Sequence, residues 1–227
     1  MSTRLLGAAT LLAALSVVVI VAIAVWDARD RDGTARPVAV AVATPAQATP
    51  PSPDREALVA FYHATGGPGW ARATNWLSGR PVGEWHGVAT DRDGRVTHLT
   101  LPGEGLRGEI PPALGSLHAL LVLDLGGNAL TGHIPSELGR LTRLQRLALG
   151  ANLLTGPLPP ELGRLQALVL LALPSNHLYG PIPPELGSLT QLVTIRLQGN
   201  DFSGCIPAAW RAAPLNDFEE LGLPFCE

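Results

Sequence analysis

The chain contains no lysine: all 16 of its basic residues are arginine. That absence removes any P-loop phosphate contact, pyridoxal Schiff base or Ser–Lys nucleophilic pair. Charge of either sign is sparse, at 15% of residues with a net −3 at pH 7, so there is no electrostatic basis for binding nucleic acid. Aromatic residues make up only 5%, and Trp70, Trp76, Trp85 and Trp210 all lie toward the ends of the folded region. The sequence has no Asn-x-Ser/Thr sequon, so no N-linked glycan is expected. What is plentiful is aliphatic residue, glycine and proline, and these are arranged periodically.

After Arg4, residues 5–26 carry no charge ("LLGAATLLAALSVVVIVAIAVW"). As a helix they would span about 33 Å, enough to cross a bilayer core. Trp26 and the following "DARDRD" mark an interface, and the flanking charges place the N-terminus in the cytoplasm and the remainder outside. A cleaved signal peptide, cut after Ala22-Ile23-Ala24, is the alternative, although the run exceeds the usual apolar length. Either reading exports the rest of the chain. Residues 27–53 are rich in Ala, Pro and Thr and cannot bury a core, so they are expected to be a disordered linker.

From Val96 one pattern recurs every 24 residues, with units starting at Val96, Leu120, Leu144, Leu168 and Leu192. The strand segments are "VTHLTL", "LLVLDL", "LQRLAL", "LVLLAL" and "LVTIRL". Their L-x-L spacing buries one face and leaves the other open. Asn128, Asn152, Asn176 and Asn200 follow at a fixed offset. An inward asparagine offers both a donor and an acceptor, so these four predict a side-chain ladder satisfying the turning backbone. Glu104 stands at that position in the first unit, so the ladder should be imperfect there. Then come Gly108, Gly132, Gly156, Gly180 and Gly204, a buried Ile or Leu, and proline. The "PPELG" segments read as short helical turns ending on glycine.

The pattern L-x-x-L-x-L-x-x-N-x-L-x-G-x-I-P resembles the plant-type leucine-rich repeat over ~120 residues. The resemblance implies an α/β solenoid, right-handed and curved, with a concave parallel sheet and short helical or 3₁₀ segments opposite. It also implies recognition of a protein, peptide or glycan. A parallel β-helix is the alternative architecture. Residues 54–95, starting "DREALVAFYHATGG", read as a helical N-terminal cap, with Ser52 or Asp54 capping the helix and a hairpin at Asp93-Gly94. The segment Trp85-His86-Gly87-Val88 resembles the N-terminal cap of plant-type repeat proteins, but Gly83 and Thr90 occupy its cysteine positions, so buried tryptophans are expected to substitute. The run "DREAL…ATGGPGW…NWL" also resembles the cap of surface or secreted bacterial repeat proteins. Repeats are assigned to 96–215 and the C-terminal cap to 205–227, where Cys205 and Cys226, a lone pair in an exported cap, are expected to form a disulfide.

No catalytic constellation stands out, no metal or cofactor is expected, and the chain is expected not to be an enzyme. A remote alternative is a hydrolase using His98 and Asp124. The candidate binding residues are those projecting from the concave strands: His98, Thr100, Asp124, Arg146, Leu170, Thr194 and Arg196. A convex site near Tyr179 and Arg140, Arg143 and Arg164 is the rival location. The ectodomain is expected to be a monomer, tethered through residues 5–26, that binds a protein, peptide or glycan. The rival role is structural: a surface protein or envelope-assembly subunit with no specific ligand.

Overall fold

A computed structural model describes residues 52–227. The apolar run 5–26 and nearly all of the 27–53 linker lie outside the described residues. Helix α1 (Pro53–Ala64) begins where Ser52 Oγ accepts the Arg55 amide at 3.3 Å, with Pro53 in the first turn. Asp54, the other capping candidate, instead accepts the Val96 amide at 2.7 Å and ties the helix to the first repeat strand. Leu58 and Phe61 are buried on its inner face, and Tyr62 packs partly buried beside them.

The concave sheet has six strands rather than five. Val88–Thr90 pairs antiparallel with Val96–Thr100, and Val122–Asp124, Arg146–Ala148, Leu170–Ala172 and Thr194–Arg196 join in parallel. The added strand is the first arm of the Asp93-Gly94 hairpin. Gly94 adopts φ 77°, and Asp91 Oδ1 accepts the Asp93 and Arg95 amides, both at 3.0 Å. Those backbone hydrogen bonds, with the Arg95 side chain, outweigh desolvation and hold the Asp91 carboxyl below its ordinary value. Across the parallel strands the register is 24 residues without slippage, because each inward leucine must meet its counterpart. Leu99, Leu123, Leu147, Leu171 and Ile195 form one buried column, and Leu101, Leu125, Leu149, Leu173 and Leu197 the next. Each such side chain contributes about 1.5–3 kcal/mol of burial.

Between the asparagine and the helical turn the chain forms short parallel strands that the repeat pattern did not foreshadow. Arg107–Glu109 pairs with Ala129–Thr131, and Thr155–Gly156, His177–Pro181 and Asp201–Ser203 form a second ribbon. Stretches this short carry no readable alternation. Their pairing exists only because the coil beneath offers its carbonyls, as when the His177 amide reaches Leu154 O at 2.8 Å. On the convex side, 3₁₀ helices occupy Pro112–Ser116, Ser136–Arg140, Pro160–Arg164 and Pro184–Ser188. Their glycines do more than stop the turn. A Cβ on Gly139 would collide with the Glu161 backbone of the next coil, and one on Gly115 with that of Glu137.

The four asparagines lie in the turns and hold successive coils together. Asn152 Oδ1 accepts the Leu130 amide at 3.1 Å, while its Nδ2 donates to Leu125 O at 3.0 Å and Leu149 O at 2.9 Å. Asn128, Asn176 and Asn200 make the same three contacts with their own neighbours. At the C-terminal end Cys205 and Cys226 are joined in a disulfide. Trp210 is buried and stacks on Phe218 of α2 (Phe218–Leu221). Leu215 bridges the last strand at Thr194, and Asp217 Oδ2 accepts the Leu197 and Gln198 amides at 2.7 and 2.9 Å. A carboxylate thus takes the place of the carbonyls a further coil would have supplied.

In the N-terminal cap, Trp70 and Trp76 pack edge to face at 4.8 Å, Trp76 and Trp85 lie 5.0 Å apart, and Phe61 meets both Trp70 and Trp76. All three tryptophans are buried. The tryptophans are thus buried together in the region where Gly83 and Thr90 stand, as expected from the sequence.

Candidate functional site

The sheet register aligns the projecting side chains into rows. His98, Val122, Arg146, Leu170 and Thr194 form one, continued by Leu215, and Thr100, Asp124, Ala148, Ala172 and Arg196 form the next. All seven candidate binding residues therefore share the concave face, and none is fully buried. They do not converge on one point, since a strand spacing of about 4.8 Å separates neighbours in a row.

His98 and Asp124 are engaged elsewhere. His98 Nδ1 lies 3.0 Å from Thr97 Oγ1, and Asp124 Oδ1 accepts the Gly126 amide at 3.2 Å. Among the described residues no hydrogen bond joins the two. Also among the described residues, no group of three or more His, Cys, Asp or Glu is placed to hold a metal.

Residues beyond these seven complete the face. Val169 and Val193, in the position just before the strand, are 40% and 41% exposed, and Leu215 is 52% exposed. Backbone hydrogen bonds from Val193 N to Val169 O and from Leu215 N to Val193 O bring these three side by side, next to half-buried Leu170. Sequence reasoning missed the valines because the position beside an inward leucine reads as strand core. The extra residue between the two inward leucines turns it outward. Leu215 lies in the cap, where no repeat frame points to it.

The ion pairs among the described residues all involve residues 72–104. The central one is unusual. Glu104, at the ladder position of the first unit, is 2% exposed, and its Oε1 accepts from Arg72 Nη2 at 2.6 Å and lies 2.9 Å from His86 Nε2. Burial pushes its carboxyl upward, but the hydrogen bonds and charges of Arg72 and His86 together prevail and hold it below the ordinary value. This cluster joins cap to solenoid. Among the described residues, Arg146 and Arg196 have no carboxylate within 4.0 Å. On the convex side, Glu161, Arg164, Glu185 and Ser188 line a shallow depression between successive 3₁₀ helices.

Comparison with known proteins places this geometry. The Leucine Rich Repeat family model matches residues 119–141. Phytosulfokine receptor 2 of Arabidopsis thaliana is 50% identical over 54 residues, 22% of this chain and 5% of the receptor. Polygalacturonase inhibitor 1 of Oryza sativa subsp. japonica is 40% identical over 93 residues, 39% of this chain and 27% of the inhibitor. The chain thus spans about a quarter or less of either curated relative. A chain in the crystal structure of the BIR3–SERK2 complex from Arabidopsis thaliana superposes with a TM-score of 0.62 at 32% identity, covering 70% of this chain and 90% of that one. With the 24-residue register, the buried leucine columns and the asparagine contacts described above, this chain belongs to the leucine-rich repeat family.

Proposed function

We propose that the chain is a non-enzymatic recognition module that binds a protein or peptide on its concave sheet, outside the cytoplasm. The observation that carries the reading is the concave face itself. It combines aliphatic side chains, two arginines with no carboxylate within 4.0 Å among the described residues, and a floor of Ala148 and Ala172, while every inward position is committed to the core. Buried core residues explain the fold, whereas exposed Val169 and Val193, with half-buried Leu170 beside them, have no folding task. The similar proteins support the same direction, since one is named a receptor, one an inhibitor, and one was solved in a complex of two proteins.

Anchoring through residues 5–26, with 27–53 as the tether, completes the proposal and rests on the apolar run alone. Alkaline extraction should leave the full-length protein in the membrane pellet. Release of a chain starting near Val25 would show a cleaved signal instead. Among the described residues no helix is long and apolar enough to cross a membrane.

The recognition reading is tested by a paired capture. The full-length chain and a folded Asp124→Ala/Arg146→Ala/Leu170→Ala/Arg196→Ala variant are exposed to the same envelope and extracellular extracts. A partner held by the first and lost by the second supports a concave site. A partner held by both moves the site to another surface, and no partner at all favours a structural role.

A further inference from the structure

We infer that the C-terminal half of the concave face selects an extended peptide bearing an acidic–x–apolar–x–acidic pattern, an inference that rests on the recognition reading above. Arg146 shares its row with Leu170 and Thr194, and Arg196 lies two residues further along the strand that carries Thr194. The two arginines are therefore separated by two strand spacings, about 10 Å across the sheet, and by two residues, about 7 Å along it. The diagonal is roughly 12 Å. An extended chain advances about 3.3 Å per residue and turns alternate side chains to one side, so positions i and i+4 lie about 13 Å apart facing the same surface. Arginine's long side chain absorbs the difference.

The midpoint of that diagonal falls on the strand Leu170–Ala172, over the inward Leu171. What an i+2 side chain meets there is Leu170 on one side and Ala172 on the other. Val169, Val193 and Leu215 extend the apolar surface beside it. The floor is aliphatic, which suits a Leu, Ile or Val side chain. Both flanking cations are without carboxylates within 4.0 Å, since the ion pairs among the described residues lie at 72–104. The face's own carboxylate, Asp124, is on the far side of Arg146 and accepts the Gly126 amide. A partner bringing two carboxylates would form charge-assisted hydrogen bonds that the fold leaves unmade.

The experiment measures fluorescence anisotropy of labelled peptides with the full-length chain in detergent. The probes carry Asp-Ser-Leu-Ser-Asp, the same with Ser for Leu, the contracted Asp-Leu-Asp, and Lys-Ser-Leu-Ser-Lys, each in a Gly/Ser context. The first should bind best, with about tenfold loss for each change, the scale set by one buried aliphatic side chain or one charged pair. An Arg146→Glu/Arg196→Glu variant, checked for unchanged melting temperature, should lose the acidic peptide and gain the lysine peptide. Tight binding of the lysine peptide by the unaltered chain, lost in the variant, would overturn the acidic class while leaving concave recognition standing. Equal binding with Leu or Ser would reduce the site to a polyanion surface and overturn the motif. Binding of the acidic peptide unaffected by the charge reversal would place it away from the two arginines and overturn this inference. Binding of none of the four would overturn this inference alone, because the capture experiment judges the recognition reading separately.

Discussion

Arg72 Nη2 meets Glu104 Oε1 at 2.6 Å, so a carboxylate joins the first coil to the cap at the position where each later coil uses an asparagine amide. The reason lies in the groups beneath. A coil below would present both amides and carbonyls, which only an Asn can serve together. The cap presents the donors of Arg72 and His86, which call for an acceptor.

Stability should therefore fall on the acid side in a way that depends on Glu104. Its folded carboxyl lies below the ordinary value of 4.5, so the contribution is complete above that pH. It declines as pH falls, because the unfolded chain takes up the proton first, and is gone below the folded value. Glu104→Gln should lower stability at neutral pH by about 1–3 kcal/mol, the range for losing hydrogen bonds to a charged group. The variant should also show a shallower loss below pH 4.5 in urea denaturation across pH. Parallel pH profiles for the two proteins would remove the cluster's role.

The asparagine contacts predict a graded series. Asn152→Leu strands the buried Leu130 amide, while the Leu125 and Leu149 carbonyls keep the amides of Asn128 and Asn176, and should lower stability by about 1–3 kcal/mol. Asn128 and Asn200 are only partly buried, so the same change there should be milder as water reaches the freed groups. Chemical denaturation of the three variants checks the order.

Glycine substitutions on the convex side separate steric need from turn preference. Gly139→Ala forces a Cβ into the Glu161 backbone and should cost about 1–3 kcal/mol. Gly187→Ala meets only Pro207 Cβ at 3.4 Å, an ordinary contact, and should be close to neutral. Equal melting temperatures for the two would show that coil spacing adjusts freely.

The disulfide closes a loop with a sequence separation of 21. Its removal by Cys205→Ser/Cys226→Ser should lower stability by about 3 kcal/mol on the chain-entropy model. The intact protein should weigh about 2 Da less than its reduced form, and free thiols in exported protein would contradict the bond.

The repeat register was legible in the sequence because it repeats. Leu99 through Leu197 and Asn128 through Asn200 recur at one interval, and a side chain copied every 24 residues in a stacking chain must meet its own copies. The concave rows of Arg146, Leu170 and Arg196 follow from that alternation alone. Local chemistry also marked the hairpin at Gly94 and the paired cysteines.

Contacts between segments distant in the chain were decided only by the tertiary structure. The back ribbons, including Asp201–Ser203, are too short to declare themselves, and exist because a neighbouring coil satisfies them. Asp54 reaching Val96, Glu104 meeting Arg72 and His86, and Asp217 closing the last strand each join residues outside any common repeat frame. The outward turn of Val169 and Val193, and the arrival of Leu215 beside Thr194, likewise appear only when the coils are stacked. Periodicity specifies how identical units pack against one another. How the solenoid ends, and which surface its ends complete, depends on single contacts that occur once and so leave no pattern to read.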